Sequence, residues 1–112
     1  MAELLGRNQL HADGTSLEFE GFEHGDVGLS FILVNGEPGG GPRLHRHPYA
    51  EVFVIQEGRA TFTVEGQTID AAAGQVVVAR PGEAHKFVNS GDGPLKQLDI
   101  HASDRFITEW LE

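Results

Sequence analysis

The chain has 112 residues, with eight basic against seventeen acidic side chains and a formal net charge of −9. That length allows one domain whose single core buries about 65% of the extended-chain surface, and the negative charge works against nonspecific attraction to nucleic acid or anionic lipid. With no cysteine there is neither a disulfide framework nor a thiolate metal site, and no run nears the ~20 apolar residues of a membrane span. These features predict a single soluble, cytoplasmic domain over residues 1–112.

In chain order, the pattern is one of short strands with regular punctuation. Leu17 to Phe22 alternates apolar and acidic residues, as a strand with one wet face does. Leu29 to Val34 is apolar throughout, and the flanking Gly28 and Asn35-Gly36 favour a strand over a buried helical segment. Glu51 to Gln56 places Glu51, Phe53 and Ile55 on one face, leaving Val52 and Val54 on a second face that also needs cover. Gly58 and Gly66 punctuate two hairpins around Arg59 to Glu65. Val76 to Ala79, Ala84 to Asn89 and Leu95 to His101 complete the strands. Ser103 to Leu111 has helical spacing, with Ser103 or Asp104 as cap and Phe106 and Trp110 on one side, and predicts a short C-terminal helix.

Chemistry concentrates between Gly39 and Gly58. His45, His47 and Glu51 stand at offsets of zero, two and six, so on one continuous extended strand they would project to one face. Two imidazoles and a carboxylate suit a borderline divalent metal such as iron(II), manganese, nickel, copper or zinc. A further imidazole, His85, lies in a second glycine-punctuated stretch from Gly74 to Asn89.

These two stretches carry a resemblance to the cupins. Gly39, His45, His47, Glu51 and Gly58 match the first cupin motif at every position, and Gly74, Gly82, His85 and Asn89 match the second, with Arg80 where proline is usual. The spacer of 15 residues is that of minimal single-domain bacterial cupins, and the likeness covers roughly positions 29 to 107. The resemblance implies an all-β jelly-roll barrel with a central pocket, in which His85 crosses to join His45, His47 and Glu51 as the fourth ligand of one divalent transition metal. It also implies a homodimer, as does the two-sided apolarity of Leu29 to Val34 and Glu51 to Gln56.

Three histidines and one glutamate leave about two positions open on an octahedral ion. Two enzyme classes are compatible with that: a dioxygenase-like reaction on a small, partly apolar molecule, or a non-redox isomerase or cyclase. A noncatalytic module that binds or senses a small molecule is the rival from another class. Phe53, Ile55 and Phe87 are expected beside the metal by strand parity, whereas Arg80 reads as a solvent-facing turn residue. His11, His24 and His101 have no partners at ligand spacing and read as surface or edge histidines.

Overall fold

The computed structural model describes residues 2–112, in which short strands form two antiparallel sheets that face each other as the walls of a barrel. One sheet has the order β1 (His11–Asp13), β2 (Ser16–Glu20), β3 (Ser30–Gly36), β10 (Leu95–His101), β5 (Glu51–Glu57) and β8 (Val76–Ala79). The other runs β11 (Glu109–Trp110), β4 (His45–Arg46), β9 (His85–Asn89), β6 (Arg59–Val64) and β7 (Gln67–Ala72). Consecutive strands often sit in opposite sheets, so the chain crosses the barrel repeatedly.

Strand alternation decides what fills the interior. Along β5, Glu51, Phe53 and Ile55 are buried while Val52 and Val54 are half-buried on the outer face. Phe53, Phe62 and Phe87 meet edge-on or tilted, with ring centroids 5.0 to 6.1 Å apart, and close one end of the barrel. Burying each of these rings contributes about 1.5–3 kcal/mol of transfer free energy. On β10 the alternation runs opposite to ordinary amphipathicity: Gln97, Asp99 and His101 are buried inside, and Leu98 and Ile100 face outward.

Those outward residues belong to two apolar rows across the outer face of the six-stranded sheet. Strand register aligns Leu17, Leu33, Leu98, Val54 and Val76 in one row, and a parallel row runs from Phe19 to Val78. Val76 is 55% exposed.

Two expectations are corrected. The C-terminal segment is not a helix: Glu109–Trp110 is a strand paired with Arg46 and His45 of β4. Phe106, Thr108 and Trp110 recur every second residue and all reach the barrel cavity, so tertiary pairing with an open strand edge outweighs the local helical spacing. An Arg46–Glu109 ion pair and a Leu111 N–H bond to the Leu44 carbonyl hold the segment in place. Likewise, the predicted strand Leu17 to Phe22 ends at Glu20, where a 3₁₀ turn spans Gly21–His24.

Within the second motif, Arg80 to Glu83 forms a tight turn with Pro81 second and Gly82 third at φ +80°, closed by the Glu83 N–H on the Arg80 carbonyl. Pro81 supplies the rigid position, so arginine at 80 leaves the turn intact. Arg80 itself is exposed and outside the cavity wall.

Candidate metal centre

His45, His47, Glu51 and His85 are all buried, and one donor atom from each lies within 4.8 Å of the others. They do not share one strand face. His45 sits on β4 in the five-stranded sheet and Glu51 on β5 in the six-stranded sheet, so the chain crosses between sheets after His47. His85 on β9 is the direct cross-strand partner of His45. Convergence thus comes from the closure of the barrel, and the single-strand argument for it is replaced.

The imidazoles are oriented from behind. His45 Nδ1 donates to the Arg43 carbonyl at 2.7 Å, His47 Nδ1 to the Ile107 carbonyl at 2.8 Å, and His85 Nδ1 to the Glu83 carbonyl at 2.9 Å. A proton held on Nδ1 directs each Nε2 inward as the ligating atom, which is how metal-ligating imidazoles are usually fixed. His47 Nε2 is buried and, although 3.1 Å from Glu51 Oε1, has no well-aligned hydrogen bond. These residues fit a divalent metal: a cation would satisfy that orphaned nitrogen and replace the proton shared by His85 Nε2 and Glu51 Oε1 at 3.1 Å.

Charge at the centre is set by competition. Burial works against ionising Glu51, yet the surrounding His101, His47 and His85 imidazoles outweigh it and hold the carboxyl well below the usual range. For His85, burial opposes the charged form, but the Glu51 carboxylate and the Glu83 carbonyl prevail and raise the pKa. His45 is lowered, chiefly by burial.

His101, expected at the surface, is 3% exposed and lies opposite Glu51 in the β5–β10 register. Its Nε2 is 3.0 Å from Glu51 Oε2. Behind it, the Tyr49 hydroxyl accepts the Ile107 N–H at 3.3 Å and lies 2.7 Å from His101 Nδ1. Burial pushes the Tyr49 pKa up to about 12, so the hydroxyl keeps its proton and donates it to Nδ1. His101 Nε2 stands beside the outer oxygen of Glu51 without a well-aligned hydrogen bond, as His47 Nε2 does beside Oε1. His11 and His24, by contrast, pair with Glu23 and Glu3 outside the site, as expected.

Asp99 is the second group that spacing did not single out. Its carboxyl is buried and accepts a 2.7 Å hydrogen bond from Gln97 Nε2. Burial, reinforced by the nearby Glu51 charge, pushes its pKa well up, while the Gln97 hydrogen bond works the other way. The readable signal for both residues was the alternation Gln97, Asp99, His101 against Leu98, Ile100; nothing local says that the polar face is the inner one.

A cavity of about 510 Å³ opens beside the centre. Phe53 and Phe87 line it as expected, joined by Phe106 and Trp110, whereas Ile55 packs in the core away from the wall. Phe53 lies 5.5 Å from the His85 ring and Trp110 5.0 Å from the His45 ring.

Comparison with known proteins matches this arrangement to a family. A Cupin domain model matches residues 32–101, more than half of the chain. The chain is a cupin. An uncharacterized protein of Methanocaldococcus jannaschii, MJ1618, is 34% identical over 56 residues, covering 49% of this chain and 45% of that one. Among solved structures, Bacillus subtilis oxalate decarboxylase at pH 4.6 is similar with a TM-score of 0.77 and 27% identity, over 86% of this chain and 27% of that one. An oxalate decarboxylase structure concerned with substrate binding and a reaction-specificity switch gives 0.79 and 26%, over 92% and 31%. Another of the Bacillus subtilis structures addresses the Mn(II) centres of that enzyme. This cupin therefore spans under a third of those enzymes' length and less than half of the archaeal relative's. No helix among its described residues is long and apolar enough to cross a membrane.

Proposed function

We propose that His45, His47, Glu51 and His85 bind one divalent transition metal, and that the loaded cupin is a dioxygenase-like enzyme acting on a small, partly apolar molecule. The observation that carries this reading is the set of three imidazoles pinned through Nδ1 to backbone carbonyls around Glu51, with His45, His47 and Glu51 on the wall of a cavity. A bound metal of this kind supplies Lewis acidity and, if redox-active, electrons. The chain supplies the rest. Phe53 and Phe87 exclude water and so strengthen electrostatic effects at the centre. His101 favours the ionised form of Glu51 and stands beside its Oε2, with Tyr49 holding the imidazole from behind. Asp99, whose carboxyl burial pushes toward the protonated form, stands on the same cavity wall, which favours the non-redox isomerase as the second reading.

Turnover separates the readings. After iron(II) reconstitution, an oxygen electrode and a panel of phenols, diketones and enolisable ketones should show substrate-dependent oxygen uptake. Exchange of substrate hydrogen in deuterated water without uptake would replace the oxygenase by the isomerase. Tight ligand retention with neither would leave a binding or sensor module.

The same proposal includes one cytoplasmic domain over residues 1–112 that pairs with a second copy. Its support is the two apolar rows on the outer sheet face, where Leu29, Phe31, Leu33, Leu98 and Ile100 also line a shallow groove. Light scattering at high micromolar concentration is expected to give the mass of two chains; the mass of one would remove the dimer.

A further inference from the structure

The C-terminal segment 103–112 forms one wall of the cavity, yet its outer ties are slight. Phe106, Thr108 and Trp110 line the cavity, and Trp110 remains 51% exposed. Strand β11 is two residues long and pairs with a β4 of the same length. The ion pairs Arg46–Glu109 at 2.9 Å and Lys86–Glu112 at 3.2 Å join side chains that are 40 to 60% exposed, and ion pairs so wet contribute little to stability. An element held in this way opens locally at low cost.

Its inner ties converge on the proposed metal centre. The Ile107 carbonyl accepts the His47 Nδ1 proton at 2.8 Å, and the Ile107 N–H donates to the Tyr49 hydroxyl at 3.3 Å. That hydroxyl lies 2.7 Å from His101 Nδ1, and His101 Nε2 stands 3.0 Å from Glu51 Oε2. One residue of the strap therefore touches a proposed histidine ligand directly and reaches the proposed glutamate ligand through two side chains. The Ile107 side chain is exposed, so these links rest on its backbone. Tyr49 is the joint between them: its ring stacks on His47, with centroids 4.9 Å apart and planes 9° apart.

From this connection we infer that docking of segment 103–112 is coupled to occupancy of the metal centre through Ile107, with Tyr49 as a positioning residue. The inference rests on the metal reading of that centre. A cation on His47 Nε2 draws charge from the ring and makes Nδ1–H a stronger, charge-assisted donor to the Ile107 carbonyl. Coupling of this kind is reciprocal, so the factor by which a filled centre favours the docked strap is the factor by which the docked strap tightens the metal. The consequence is access: a filled centre closes this wall of the cavity, and an empty one lets it open.

The test is hydrogen exchange of the full chain, read by mass spectrometry with and without zinc, beside zinc affinity measured against a competing chelator. Zinc should slow exchange across residues 105–111 about tenfold or more, the scale on which groups behind a ligand affect metal binding. Strand β1, a short peripheral strand paired with β2, should be unmoved. In Tyr49→Phe, which keeps the ring on His47, zinc affinity should fall about tenfold, and the zinc-dependent slowing should shrink with it. A hydroxyl with a merely structural role would instead speed exchange equally with and without zinc. Zinc that binds without slowing 105–111, that slows β1 equally, or that binds Tyr49→Phe as tightly as the wild type overturns the coupling and leaves the metal reading standing. Zinc that does not bind the wild type overturns the metal reading, and the coupling with it.

Discussion

Replacing His85 by alanine raises the dissociation constant for the bound metal by at least about a hundredfold while the barrel stays folded. The magnitude follows from a lower bound: losing a partner behind a ligand typically costs 10–100-fold in metal affinity, so losing a ligand itself costs no less than the upper end. His85 is also the residue whose removal leaves Glu51 Oε1 without its best-aligned hydrogen bond, so the damage extends beyond one donor. The fold survives because the β9 backbone pairs with β6 over Ala60–Val64 and does not depend on the imidazole. The measurement is plasma mass spectrometry of protein purified without added metal or affinity tag, beside His11→Ala as a surface control. About one equivalent in the wild type and in the control, with loss in His85→Ala, is the expected pattern. Full occupancy in His85→Ala would remove His85 from the ligand set.

Gly41→Ala is expected to cost about 3 kcal/mol or more, a fall in melting temperature of roughly 10–20 °C for a domain of this size. A β-carbon at Gly41 would sit 1.9 Å from the Phe87 carbonyl oxygen and 3.1 Å from Val88 Cα, both backbone atoms of β9. Neither can turn aside as a flexible side chain would. The loop is stitched to β9 just before this point, by the Gly39 N–H on the Asn89 carbonyl and the Asn89 N–H on the Gly40 carbonyl. Asn89 in turn donates its side-chain amide to the Gly36 and Gly93 carbonyls. To admit alanine, the loop or β9 must shift, and β9 carries His85. Metal affinity should therefore fall with stability. Gly39→Ala is the contrast: nothing lies within 4 Å of the added carbon there, and the expected cost is only about 1 kcal/mol, from a φ of +83°. Calorimetric melting of the two variants decides the matter, and a Gly41→Ala protein that melts like the wild type would mean the loop does not lie on β9.

The two motifs made most of the proposed metal centre legible before any coordinates. Histidines and a glutamate at set positions between glycines name donor types and the class of metals they suit, because ligation chemistry depends on side-chain identity. The all-β class was legible for a similar reason: alternation and glycine-bearing turns are local properties, and the strands at Val76–Ala79 and Leu95–His101 lie where the pattern placed them. Where the reading failed, the deciding contact was distant. Spacing in Ser103 to Leu111 is compatible with a helix, but Trp110 pairs with His45, 65 positions away along the chain. His101 looked isolated because Glu51 and Tyr49 are its neighbours only through the β5–β10 pairing and the sheet crossing.

Sequence by itself determined the candidate donor types, the turn positions and the strand periods of this cupin, all of which follow from the chemistry of a residue and its near neighbours. Tertiary structure alone decided that the polar face of β10 points inward, that Asp99 is buried on the wall it shares with Glu51 and its carboxyl pushed toward the neutral form, and that the cavity opens beside the histidines. Periodicity assigns a residue to one of two faces; only the closing of one sheet over the other determines which face loses its water.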